Sequence, residues 1–151
     1  MNIDFRDCLV TYSNHGISFS YPDIWELTEE QDGDDVLLTV TCNATCFWVV
    51  RLIPACPPPP QVVDSCVDAF EQEYEDLEIE TPDASLAEMP ACARDLQFFC
   101  VELMNSVGLR SVRTSDFTVL VWWQGTHHEL GDFQQMLDHM TESLRLDSLL
   151  D

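Results

Sequence analysis

Hydrophobic and polar residues alternate in short runs through most of this chain, and only two stretches keep helical spacing. Ile17, Phe19 and Tyr21 share one parity while Ser18 and Ser20 occupy the other, which predicts a strand. An apolar-rich run at residues 8–12 precedes it across Ser13-Asn14-His15-Gly16, whose Asn and Gly suit a turn, so the two runs read as a hairpin. Pro22 ends the second strand. Trp25 and Leu27 resume the alternation before a polar stretch, residues 29–35, that reads as a loop. Residues 36–41 and 47–53 are rich in β-branched side chains and read as strands joined by a turn around Asn43. Residues 96–103 are mostly apolar, Asn105-Ser106 begins a turn region, and residues 109–113 form a short strand. Residues 117–123 are apolar on both parities, the mark of a central strand covered on both faces.

The clearer helix spans residues 61–75, where Val63, Cys66, Val67, Phe70 and Tyr74 recur at helical spacing. It follows Pro57-Pro58-Pro59-Pro60, a stiff run that cannot donate to a sheet ladder. Leu77 and Ile79 mark a short strand after it. Asp132 with Gln135 resembles the start of a capped terminal helix, with Phe133, Met136, Leu137, Met140 and Leu144 as its buried stripe. Strands, helix, strands, helix with short connections predict one α+β domain over residues 1–151, a mainly antiparallel sheet flanked by two principal helices.

Charge narrows the function classes. The chain has 28 acidic residues, six arginines and no lysine, for a formal net charge of -22. Nucleic acid and anionic membrane surfaces are thereby excluded as expected partners. Without lysine there is neither a Schiff-base catalyst nor a Gly-Lys-Ser/Thr phosphate loop. Seven of the acids fall in residues 23–35 and ten in residues 64–88, and neither cluster contains a base. Such clusters serve as solvated surface or as a docking face for a basic partner protein. Residues 1–7 lack the basic-then-apolar order of a secretory signal, and the seven cysteines are an odd number lying mostly in apolar runs, so a cytoplasmic location is expected. Asn43-Ala44-Thr45 is a formal glycosylation acceptor that means nothing without secretion.

Few groupings point to chemistry. Cys42 and Cys46 could form half of a metal site or a reversible disulfide, but no second pair stands at matching spacing. His127-His128-Glu129 departs from the His-Glu-x-x-His zinc motif, and adjacent histidines on a strand end would point apart, so a surface turn is expected. Asp32-Gly33-Asp34-Asp35 lacks the spacing of a calcium loop. No catalytic residue, cofactor or metal is expected. Trp122 and Trp123 put one ring on each sheet face, and whichever face is uncovered would offer a binding anchor.

Residues 17–26, with Phe19, Tyr21-Pro22 and Trp25, resemble the "apolar-x-F-x-Y-P-x-x-W" signature near the start of PsbP-like and DcrB-like domains. The closing run Glu142-Ser143-Leu144-Arg145-Leu146 is also similar. The resemblance implies a sheet flanked by helices without a catalytic centre, in proteins that act as binding or assembly factors. It carries over no functional residue.

The leading expectation is a small acidic, non-enzymatic protein-binding or chaperone-like factor for a basic or amphipathic protein. Glu71, Glu75, Asp76, Trp122 and Trp123 are its candidate contact residues. The alternatives are a thiol- or metal-dependent enzyme using Cys42, Cys46 and the His127-His128 region, and a structural subunit of a homo-oligomer with Trp122 or Trp123 in the interface.

Overall fold

The computed structural model describes residues 8–43 and 45–147. Residues 1–7 and Ala44 of the glycosylation acceptor lie outside the described residues. The architecture is α+β, a mainly antiparallel sheet flanked by two principal helices. The strands are β1 (Leu9–Asn14), β2 (Ile17–Pro22), β3 (Glu26–Asp32), β4 (Asp35–Asn43), β5 (Cys46–Ile53), β6 (Glu78–Glu80), β7 (Ala84–Leu86), β8 (Met89–Cys100), β9 (Leu103–Arg113), β10 (Thr118–Thr126) and β11 (Arg145–Leu146). The helices are α1 (Pro59–Glu73) and α2 (His127–Ser143). The main sheet runs β3-β4-β5-β10-β9-β8-β6, with β7 pairing β8, and a small sheet runs β1-β2-β11.

The two faces of the main sheet are covered differently. One face carries Leu38, Val40, Trp48, Val50, Leu52, Val119, Val121 and Trp123. Against it pack α2, whose Leu137, Met140 and Leu144 are buried, and the β1–β2 hairpin. Phe19 of β2 meets Trp48 at 4.9 Å between ring centroids, and Trp48 Nε1 donates to Thr141 Oγ1 at 3.0 Å. Among the described residues, the opposite face carries α1 alone. Val63, Val67, Phe70 and Tyr74 close over Leu96, Phe98, Val107, Leu109 and Leu120. The Tyr74 and Phe98 rings stack at 4.1 Å.

Several sequence expectations are corrected. The polar stretch 29–35 is no loop. β3 continues to Asp32 and only Gly33-Asp34 turn, Gly33 at φ 63. A strand at the sheet edge needs no apolar alternation, so its carboxylates hid it. Helix α1 begins at Pro59, with prolines in its first turn where no amide hydrogen is needed, and ends at Glu73 rather than Glu75. The expected turn at Asn105-Ser106 lies inside β9; the chain reverses instead at Val101-Glu102, whose φ values are 50 and 65. Positive φ is costly for a β-branched residue, and no turn residue announces it. The tip exposes Phe99, Val101 and Leu103.

The terminal helix starts five residues before Asp132. Thr126 is its N-cap. Thr126 Oγ1 accepts from the Glu129 amide at 3.2 Å, and Glu129 Oε1 accepts from the Thr126 amide at 2.9 Å. This Thr-x-x-Glu capping box satisfies two amides that the helix start leaves open. His127 and His128 therefore occupy the first turn of α2 and not a surface turn.

Candidate functional site: the open half of a sheet face

The sheet is wider than its one helix on the α1 face. Seven strands at ~4.8 Å per step place the edge strands about 29 Å apart. A helix with its side chains spans about 10–12 Å, enough for two or three strands. α1 packs mainly on β8, β9 and β10. Among the described residues, the half of the face formed by β3, β4 and β5 has no such cover, and a cavity of about 490 Å³ opens there beside the helix.

Strand register identifies what that half displays. One row across the face reads Thr28, Thr39, Val49, Trp122, Leu109. The next reads Glu30, Leu37, Arg51, Leu120, Ser111, and a third begins Glu26, Thr41, Phe47. The floor near α1 is thus apolar, while the outermost strand contributes Glu26 and Glu30 on the same side. Leu27 and Glu29, of the other parity, turn to the α2 face, where Leu27 packs against the core and Glu29 accepts from the Tyr12 hydroxyl of the β1–β2 hairpin.

The helix side of the cavity is lined by Gln61, Val62, Ser65, Cys66, Ala69 and Phe70. Ser65 and Ala69 are short, so this wall is shallow. Trp122 closes the floor with its edge against Phe47, 5.1 Å between centroids at 88°, and Phe70 stands 6.3 Å away. Trp122 is half-buried, which leaves part of its surface to the groove.

Arg51 is the cation in this groove. Its Nη2 lies 2.9 Å from Asp32 Oδ2 and 2.7 Å from Asp35 Oδ2, so two carboxylates already neutralise it. Burial works against its charge, but the bonds to Asp35 and Asp32 outweigh burial and raise its pKa further. Burial also raises the Cys66 thiol, against a smaller opposing effect of Arg51. Among the described residues, Glu26 and Glu30 have no ion-pair partner. The open half-face therefore carries an apolar strip beside an uncompensated acidic margin.

The sequence candidates fall in different places. Trp122 lines the groove. Trp123 faces the other way and is buried over Gly108 with the Arg110 guanidinium 5.0 Å from its ring centroid. Glu71 is exposed on α1; Glu75 and Asp76 are exposed in the turn that follows, Asp76 at φ 55. None of these three lines the groove. Glu26, Glu30, Leu37, Val49 and Arg51 were not singled out from the sequence. The alternation of residues 26–32 continued into β4 would have placed Glu26, Glu30 and Leu37 together.

Cys42 and Cys46 meet at the β4–β5 bend. The contact with Cys46, then burial, pushes the Cys42 thiol far above the ordinary thiol range. Cys46 is buried beside Gly125, and nearby Thr45 Oγ1 donates to Glu129 Oε1 at 2.6 Å. His127 Nε2 stands 3.1 Å from Ser106 Oγ. Among the described residues, no three His, Cys, Asp or Glu side chains gather to hold a metal ion, and no helix is long and apolar enough to cross a membrane.

No protein-family model and no curated protein matches the chain in sequence. Solved structures match in three dimensions. LpqN of Mycobacterium tuberculosis, described as involved in cell envelope biogenesis, superposes with a TM-score of 0.51 at 12% identity, over 91% of this chain and 88% of its own. PA94 of Pseudomonas aeruginosa, a protein of unknown function, gives 0.50 at 13% identity, over 84% and 89%. The likeness is one of fold. The cyanobacterial PsbP of Synechocystis is also among these neighbours, at a TM-score of 0.47 and 14% identity over 92% of each chain.

Proposed function

We propose that this protein is a non-enzymatic binding or assembly factor that receives a basic or amphipathic protein on the open half of its α1 face. One observation carries the reading: the same half-face combines an apolar floor around Leu37, Val49 and Trp122 with the carboxylates of Glu26 and Glu30, while its cation is already paired. A groove whose apolar side chains Leu37 and Trp122 stay half-buried, rimmed by one sign of charge, favours a partner of opposite sign, steered by the field and held by burial of what remains open.

The test is affinity capture at low and high salt with the native protein and a Trp122→Ala variant. Basic proteins retained by the native chain, released by salt and lost from the variant are the expected result. Retention indifferent to both salt and the Trp122 substitution, or no retention beyond a blank matrix, defeats the proposal.

A further inference from the structure

We infer that the occupant of this groove is a single amphipathic α-helix of the partner, lying beside α1 and completing the helical layer on that face. The inference rests on the proposed binding role and adds the shape and polarity of the bound segment.

The dimensions select a helix. From β3 to β5 the uncovered floor is about 10 Å wide at ~4.8 Å per strand step, which matches the 10–12 Å diameter of one helix with side chains. From Phe47 to Ile53 it is about 20 Å long at ~3.3 Å per strand residue, the length of about thirteen helical residues. The short Ser65 and Ala69 on the facing side of α1 let a second helix approach closely, at the 8–10 Å interaxial distance of packed helices. An added strand would instead have to pair along the free edge of β3, where Glu26, Glu29, Glu30 and Asp32 project to both faces and would leave the apolar floor uncovered.

Polarity fixes how the helix lies. Its apolar stripe, at i, i+3, i+4 and i+7, meets the half-buried Leu37 and Trp122, which flank the buried Val49. The flank turned toward β3 faces Glu26 and Glu30 and must carry Lys or Arg. Among the described residues a second copy of this chain offers no such helix, because neither α1 nor α2 contains a lysine or arginine.

The experiment uses fluorescently labelled synthetic peptides of about eighteen residues, each followed by anisotropy and by circular dichroism of the mixture. The first has a Leu stripe with Lys on one flank. The second is a scramble of the same composition, the third carries a central proline, and the fourth replaces Lys by Glu. The first peptide is expected to bind at least about tenfold more tightly than each of the others, a preference of ~1.4 kcal/mol, and to gain helicity on binding. Glu26→Gln with Glu30→Gln, exposed positions that leave the core intact, should weaken it and flatten its salt dependence. Leu37→Ser should weaken it at all salt concentrations.

Equal binding of the scramble or the proline peptide overturns the helix while leaving the binding role in place. Tight binding of the first peptide that ignores both the Glu26/Glu30 and Leu37 substitutions places the helix elsewhere and overturns the inference. No binding by any peptide, together with no basic protein retained in the capture experiment, removes the binding role and the helix together.

Discussion

The Trp123 indole occupies the space above Gly108: a Cβ built on that glycine would stand 2.1 Å from Trp123 Cζ2 and 2.3 Å from Cε2. The two residues pair directly across β10 and β9, and Arg110 lies against the same ring. A missing side chain on one strand thus accommodates the largest side chain on its neighbour.

Gly108→Ala should therefore destabilise the protein by about 1–3 kcal/mol through overpacking. Gly131, within α2 and with nothing within 4 Å of a Cβ, gives the opposite sign: Gly131→Ala should stabilise by up to ~1 kcal/mol. Urea midpoints of the two variants check both. A neutral Gly108→Ala would show that the indole moves freely.

The cap of α2 predicts an acid limb in the stability curve. Burial raises the Glu129 carboxyl, but bonds from Thr126 and Thr45 outweigh it and hold the group below its ordinary 4.5. A carboxyl depressed in the folded state contributes stability that is fully present above its unfolded value and is lost as pH falls through its folded value. Thr126→Ala should cost ~1 kcal/mol at neutral pH, and Glu129→Gln should flatten the loss of stability below about pH 4.5, measured by thermal unfolding across pH.

Tyr12 and Tyr74 should titrate late. Burial and then the Glu29 carboxylate push the Tyr12 phenol above its ordinary 10, and burial foremost raises Tyr74. Phenols raised in the folded state stabilise it fully below their unfolded values, and that stability is lost as pH rises toward their folded values. Spectrophotometric titration of the native protein should show two delayed groups, with Tyr12→Phe removing one. Full titration of Tyr12 near pH 10 in the folded protein would contradict the Tyr12–Glu29 link.

Thiol reactivity should separate the cysteines. Cys8 is exposed, whereas Cys46 is fully buried and Cys42 is held protonated against it. An aromatic disulfide reagent should modify Cys8 at least ~10-fold faster than Cys42 or Cys46, since only the thiolate attacks. Rapid modification of the pair would mean that the β4–β5 bend opens in the native state.

Self-repulsion should dominate the salt response. With a net charge of -22, most carboxylates repel one another, and the Debye length shortens to about 10 Å at 0.1 M salt. Sodium chloride should raise the urea midpoint at pH 7. A fall would mean that ion pairs such as Arg51 with Asp32 and Asp35 outweigh the repulsion.

Elements with a buried face were legible in the sequence, because burial imposes a period. The alternation of Ile17, Phe19 and Tyr21 and the stripe from Val63 to Tyr74 both correspond to elements of the structure. Where nothing is buried the period vanishes: Glu29 to Asp32 reads as loop yet pairs with β4. Val101 and Glu102 turn without glycine or asparagine, so their reversal left no composition signal. Thr126 and Glu129 did leave one, outcompeted by Asp132 and Gln135 six residues later. For the groove, the sequence offered Trp122 but not its neighbours. A groove is set by which strands a helix fails to cover, and that depends on sheet order across 151 residues rather than on any local run.

The rims of the main sheet are β3, with Glu26, Glu29, Glu30 and Asp32, and β6, with Glu78 and Glu80. Unpaired backbone along such rims is what lets folded chains zip into filaments, and like charges keep the rims apart. That guard is a titratable one. Near the isoelectric point of about 4.1 the carboxylates take up protons and the repulsion between copies fades. Handling and storage of this protein are thus a matter of acidity before they are a matter of temperature.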